Sequence, residues 1–122
     1  MGKGKSLLMF CPGEIYFAQT DAGTRPVVIV SREELNRGNW VVAVLITSAK
    51  FALRSSLAHC VPFHSGECGL TKDCVAQAET ISYVAVSDID LDAGRIGVVD
   101  AVRMRALIKA IGHVINSDCE PV

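Results

Sequence analysis

The chain has 122 residues, enough for one domain and too few for two. Half of the residues are hydrophobic and 20% are charged, which excludes a disordered chain and supplies a real core. Net charge is −1, so a generic high-pI polyanion binder is excluded, although residues 1–72 hold eight bases against five acids and leave room for a local basic site.

Mean hydropathy is high, +0.35. The longest apolar stretch, Trp40 to Ile46, is only strand length, so no membrane span is expected. The hydropathy then implies strands buried on both faces, or a buried subunit interface. Residues 12–116 form the expected core of the single domain 1–122, with loose tails at 1–11 and 117–122. The five cysteines are an odd number, and the apolar run after Met1 stops at Pro12, too short for a secretory leader. Both features suit a cytoplasmic chain with reduced thiols.

Gly13 to Ala18 reads as a first strand, bounded by Pro12 and Gly13. Gln19 to Thr24 reads as a polar loop. Pro26 to Ser31 is a second strand, dense in β-branched residues. Ser31 is placed to cap a short helical turn over Arg32–Leu35 that Gly38 ends. Trp40 to Thr47 is a third strand, apolar on both faces and therefore central. Lys50 to Ser56 is a turn, and Leu57 to Phe63 a short strand carrying Pro62. His64 to Lys72 is a loop, Cys74 to Val84 a long strand, and Ser87 to Asp92 a capped helical turn. Arg95 to Val99 is the last strand. Asp100 is the expected N-cap of the one long helix, which ends near Ile115. Val102, Leu107, Ile108, Ile111, Val114 and Ile115 form its apolar stripe. Many short strands followed by one helix argue for an α+β, mainly β, domain: a small barrel-like antiparallel sheet with the helix packed on it.

No P-loop, GxGxxG, HExxH or GxSxG occurs. Cys60, His64, Cys68 and Cys74, with His59 adjacent, are zinc-type residues, but they lack a C-x2-C pair, and neither metal nor cofactor is expected. His59 and Cys60 are strand neighbours on opposite faces, which disfavours a thiol–imidazole pair. Arg25 and Thr47 are different. If the second and third strands pair antiparallel, the arginine and the Thr47-Ser48 hydroxyls meet at one end of the sheet. A guanidinium fork beside a hydroxyl suits a phosphate, although a solvated arginine and an ordinary Thr-Ser turn at a strand end explain these residues without a ligand. Gln77 and Glu79 share one face of the long strand, with Thr80 next to them. A solvent face explains them equally well.

Read in order, Gly13-Glu14-Ile15-Tyr16, Arg25-Pro26-Val27-Val28-Ile29-Val30-Ser31, Leu45-Ile46-Thr47-Ser48 and Gly69-Leu70-Thr71-Lys72-Asp73-Cys74-Val75 resemble the MazF/PemK (Kid) toxin family over residues 12–115. The resemblance implies an SH3-like barrel with a C-terminal helix, of the kind shared by CcdB, Kid and MazF, assembled as a homodimer. It also implies a type II toxin that cuts single-stranded RNA without metal and is restrained by a cognate antitoxin. In that chemistry the RNA 2′-OH attacks the phosphate and leaves 2′,3′-cyclic phosphate and 5′-OH ends. Arg25 and Thr47 are then the catalytic pair. Ser48, Gln77, Glu79 and Thr80 are further catalytic or RNA-binding candidates, with Glu79 accepting the 2′-OH proton or ordering Arg25. Cys74 stands where the family usually has Ser, Glu79 where Asp is frequent, and Thr80 where many members have Gln. The segment before Arg25 is short. The alternative is a non-catalytic, CcdB-like protein-targeting toxin or binding module on the same fold. The tail has no terminal aromatic to support it.

Overall fold

The computed structural model describes residues 9–115. Six strands form one antiparallel sheet that curls into a half-barrel: β1 (Glu14–Thr20), β2 (Gly23–Ile29), β3 (Trp40–Thr47), β4 (Cys60–Phe63), β5 (Cys74–Ala85) and β6 (Arg95–Val98). Their spatial order is β4-β5-β3-β2-β1-β6. A one-turn helix, α1 (Phe51–Arg54), follows β3, and the long helix α2 (Ala101–Val114) ends the described chain. The expected fold class and strand order along the chain agree with this. No helix among the described residues is long and apolar enough to cross a membrane.

The doubly apolar strands separate two cores. Ile15, Val28, Val44, Ile46 and Ala76 face inward onto Phe63, Leu70 and Leu107 of α2. Ala18, Val27, Ile29, Val41 and Ala43 face the other way and are covered by Phe10 and Ile89. Each buried Val, Ile or Phe contributes about 1.5–3 kcal/mol, so sealing both faces within one chain accounts for much of the high hydropathy. The expectation of a loose 1–11 tail is corrected at Phe10. Phe10 is buried and stacks edge-on against Tyr16, and its carbonyl accepts a hydrogen bond from Asn36 Nδ2 at 2.8 Å. The expected tail residues 1–8 and 117–122 lie outside the described residues.

Three local readings change. The expected loop at 19–24 is a tight hairpin whose turn is only Asp21-Ala22. Thr20 Oγ1 closes it, donating to the Gly23 carbonyl at 2.6 Å and accepting from Ala22 N at 3.1 Å. Gly23 supplies the left-handed φ of 97° that the turn needs. Arg25 therefore lies inside β2, not in a loop. Ser31 does not cap the turn at Glu33–Leu35. Its buried hydroxyl instead donates to Asn36 Oδ1 and accepts from Val42 N. The helix stripe is also narrower than expected. Leu107 and Ala110 are buried and Met104, Ile111 and Val114 half-buried, whereas Val102, Ile108 and Ile115 face outward. Asp100 does cap α2, accepting from Arg103 N at 2.9 Å. Pro62 is tolerated because β4 is an edge strand.

Glu14, next to Gly13, is a structural anchor. It accepts from Cys11 N at 2.9 Å and Tyr16 Oη at 3.2 Å and pairs with Arg95 at 3.2 Å. Burial, with Glu14 alongside, pushes the Tyr16 phenol up to about 12.

Arg103 ties α2 to the β4–β5 connection through Glu67 at 2.6 Å, and pairs within the helix start with the cap Asp100 at 2.7 Å. The His64 amide, then Arg103, hold Glu67 below its ordinary 4.5. The Arg103 amide, then its side chain, hold Asp100 below 3.8. Depressed carboxylates stabilise the fold fully above their unfolded values and lose that contribution as pH falls through the folded ones. Stability should therefore fall on acidification below about pH 4.5. Arg103→Ala should shrink that fall without abolishing it, because backbone amides are the first cause at both groups. Thermal unfolding midpoints across pH 2–7 check this, and an unchanged acid slope in Arg103→Ala would count against it.

Candidate active site

Antiparallel pairing of β2 with β3 is in register at Val27–Leu45, Val28–Val44 and Ile29–Ala43. Continued two residues further, the register sets Arg25 across from Thr47. Both line a cleft of about 580 Å³ at that end of the sheet, together with Thr24, Ser48, Thr71 and Lys72. The floor is apolar, with Ile46, Leu70 and Ile96, and Phe17 stands at its side. No Asp, Glu or His lines it among the described residues. Two cations and four hydroxyls without a carboxylate suit an anionic group such as a phosphate better than a cation.

Arg25 is exposed, and its Nη1 donates only to the carbonyl of Thr24, at 3.2 Å. The rest of its fork is free for a ligand. Thr47 is half-buried. Its Oγ1 accepts from Ala49 N at 3.2 Å, which fixes the hydroxyl at the turn out of β3 and leaves its proton to donate. Lys72 and Thr71 were not singled out as site residues, although both stand in the Gly69–Val75 segment that carries the resemblance.

Gln77, Glu79 and Thr80 lie outside this cleft. Gln77 pairs with Leu45, one step along the face that carries Thr47. Gln77 Nε2 donates to Glu79 Oε2 at 3.1 Å, and the same oxygen is 3.7 Å from His59 Nε2. Glu79 makes no hydrogen bond to Arg25. Thr80 sits in a bulge where β5 runs from Gln77 to Ser82 against Ala43 to Leu45 of β3. Its hydroxyl replaces the missing ladder, accepting from Leu45 N at 2.8 Å and donating to the Gln77 carbonyl at 2.7 Å. Thr80→Val should cost about 1–3 kcal/mol by stranding both groups. The same variant should lose several degrees of thermal stability. An unchanged unfolding midpoint would show that the bulge does not depend on this hydroxyl.

The cysteines do not assemble the zinc set considered from sequence. His64 pairs with Asp73 at 3.6 Å, Cys68 Sγ lies 3.9 Å from Asp100, and Cys74 is in the inner core. Cys11, Cys60, Cys68 and Cys74 are free thiols. Burial pushes the Cys74 thiol up to about 11, and raises Cys60 as well, so neither presents a thiolate nucleophile near neutral pH.

Comparison with known proteins agrees with this architecture. Residues 12–115 match the model of the family described as PemK-like, MazF-like toxins of type II toxin–antitoxin systems. The Mycobacterium tuberculosis toxin MazF-mt6 is 30% identical, with a TM-score of 0.72 over 84% of this chain and 96% of that one. A mycobacterial endoribonuclease solved in complex with its cognate antitoxin is 23% identical, with a TM-score of 0.73 over 91% of this chain and 98% of that one. A MazE–MazF structure from Deinococcus radiodurans shares the fold at 14% identity, with a TM-score of 0.69 over 88% and 96%. No curated protein sequence matches. With the family match spanning all six strands, the cleft and α2, the chain belongs to the PemK-like, MazF-like toxins of type II toxin–antitoxin systems.

Proposed function

We propose that this toxin is a metal-independent endoribonuclease that cuts single-stranded RNA. The observation that carries the reading is the cleft that gathers Arg25, Thr47, Ser48 and Lys72 without a carboxylate. Family membership supports it, as does the likeness to a mycobacterial endoribonuclease.

The substrate brings its own nucleophile, so no triad is required. The protein must align the 2′-oxygen with the phosphorus, stabilise the extra charge and manage two protons. Arg25 binds the equatorial phosphate oxygens with its open fork. Its high pKa makes it a charge stabiliser and not a base. Thr47 and Ser48 donate hydrogen bonds to the same phosphate. The bond from phosphorus to the 5′-oxygen breaks as the 2′-oxygen bond forms. The 2′-OH loses a proton and the departing 5′-oxygen gains one. Glu79, along the same face, is the proposed acceptor of the 2′-OH proton for an RNA strand crossing β3 and β5. Gln77, which holds that carboxylate, and Thr80, which shapes the bulge, act as RNA-contacting or positioning residues. Lys72 holds a neighbouring phosphate, and Phe17 offers a base a stacking surface.

A cognate antitoxin with an acidic segment would cover the same cations and block RNA. Outward apolar residues on α2, Val102, Ile108 and Ile115, support a homodimer. Membership of a toxin–antitoxin family supports action in the cytoplasm. The test is incubation with long single-stranded RNA in excess chelator, followed by end-group mapping. Discrete cuts ending in 2′,3′-cyclic phosphate and 5′-OH are expected, and their loss in Thr47→Ala. An absence of cuts across diverse RNAs would refute the reading.

A further inference from the structure

Edge strand β4 brings three metal-type donors together where the sequence showed only scattered ones. Cys60 pairs with Gln77 across β4 and β5, so its sulfur shares the face of Gln77 and Glu79. The His59 carbonyl accepts from Ala78 N at 2.9 Å, which draws His59 against the start of the β5 bulge. One donor atom each from His59, Cys60 and Glu79 then lies within 4.8 Å of the other two. Among the described residues no other group of three such side chains converges.

We propose that His59, Cys60 and Glu79 form a binding site for a zinc-class divalent metal ion. Bond lengths of about 2.0–2.3 Å in a tetrahedral site require donors separated by roughly 3.3–3.7 Å. His59 Nε2 and Glu79 Oε2 are already 3.7 Å apart. The remaining contraction needs only rotamer adjustment of two partly exposed side chains, while buried Cys60 is the fixed anchor. One imidazole, one thiolate and one carboxylate select zinc or cobalt over magnesium or calcium, which prefer all-oxygen shells. Gln77 Nε2, donating to Glu79 Oε2 at 3.1 Å, orients the carboxylate from behind. Three protein donors at a partly exposed edge leave the fourth position to water.

Without metal, burial and then Glu79 hold the Cys60 thiol protonated, with Arg54 opposing. Metal entry replaces that proton: a metal–sulfur bond forms, the S–H bond breaks, and the proton goes to solvent. On the functional reading above, the metal is not a cofactor. It withdraws Glu79 from the RNA-facing surface, so occupancy restrains the toxin. The binding test uses no RNA, and its failure is thus separate from failure of the nuclease reading.

The experiment is competition of the full chain with a chromophoric chelator for Zn²⁺ under a non-chelating reductant. Co²⁺ substitution then reads the thiolate-to-cobalt charge-transfer band. One metal per chain is expected. Binding should weaken at least tenfold in His59→Gln and in the surface variant Glu79→Gln, and the cobalt band should vanish in Cys60→Ser. Cys68→Ser and Cys119→Ser should leave both signals unchanged. Zinc affinity unaltered in Glu79→Gln and His59→Gln, or a cobalt band that follows Cys68 or Cys119, overturns the site.

Discussion

Replacing Arg25 with alanine should lower the maximal rate of RNA cleavage by about 10²–10³-fold, the usual loss when one preorganised oxyanion donor is removed. The fold should not notice. Arg25 is exposed and its single hydrogen bond goes to the neighbouring Thr24 carbonyl, so stability should change by no more than about 0.5 kcal/mol. Arg25→Lys should recover little of the rate, because lysine restores the charge and not the planar fork. Single-turnover cleavage beside an unfolding curve separates the two effects. Near-normal cleavage by a folded Arg25→Ala protein would remove Arg25 from the chemistry.

The second large effect concerns the seam of the half-barrel. The turn at Glu67–Gly69 lies backbone to backbone on β6, bridging the connection out of edge strand β4 to the opposite edge. A Cβ at Gly97 would run into the Cys68 carbonyl, and one at Gly69 into the Ile96 carbonyl. Neither obstacle is a side chain that can swing away. Gly97→Ala should therefore cost about 3 kcal/mol, the upper end of ordinary overpacking penalties. Gly69 and Ile96 also line the cleft, so the same variant should lose cleavage per folded molecule. Gly38→Ala is the matched control, since nothing lies within 4 Å of its added carbon. Urea unfolding of the two variants decides the matter, and equal midpoints would show that the seam can open.

Local chemistry made much of this legible in the sequence. The β-branched run at Val27–Val30, the doubly apolar strand Trp40–Thr47 and the Asp100 cap each signalled their element. The order of strands then put Arg25 near Thr47 before any coordinates. What stayed hidden depends on partners distant in sequence. Phe10 reads as part of a frayed tail until Asn36 and Tyr16 are seen to hold it. Thr80 reads as one more polar residue on an open face until the bulge is seen to need its hydroxyl. Val102, Ile108 and Ile115 fit an apolar stripe by spacing, but the sheet offers α2 a narrower groove than that stripe. Lys72 stood in plain view within Gly69–Val75, and only the curl of the sheet shows that this segment borders the cleft. The His59–Cys60–Glu79 grouping was also out of reach, because its spacing follows the pairing of β4 with β5 and no chelating motif.

The central claim is that the RNA supplies the nucleophile while Arg25 and Thr47 stabilise the charge. Its most direct test is an oligonucleotide carrying the mapped cut, made with a single 2′-deoxyribose on the 5′ side of that phosphate and assayed in chelator. The account predicts that binding persists and that cleavage at this position disappears, while the all-ribose strand is cut to a 2′,3′-cyclic phosphate. Cleavage of the 2′-deoxy strand at an undiminished rate would show that the protein or water supplies the attacking group, and would contradict the account.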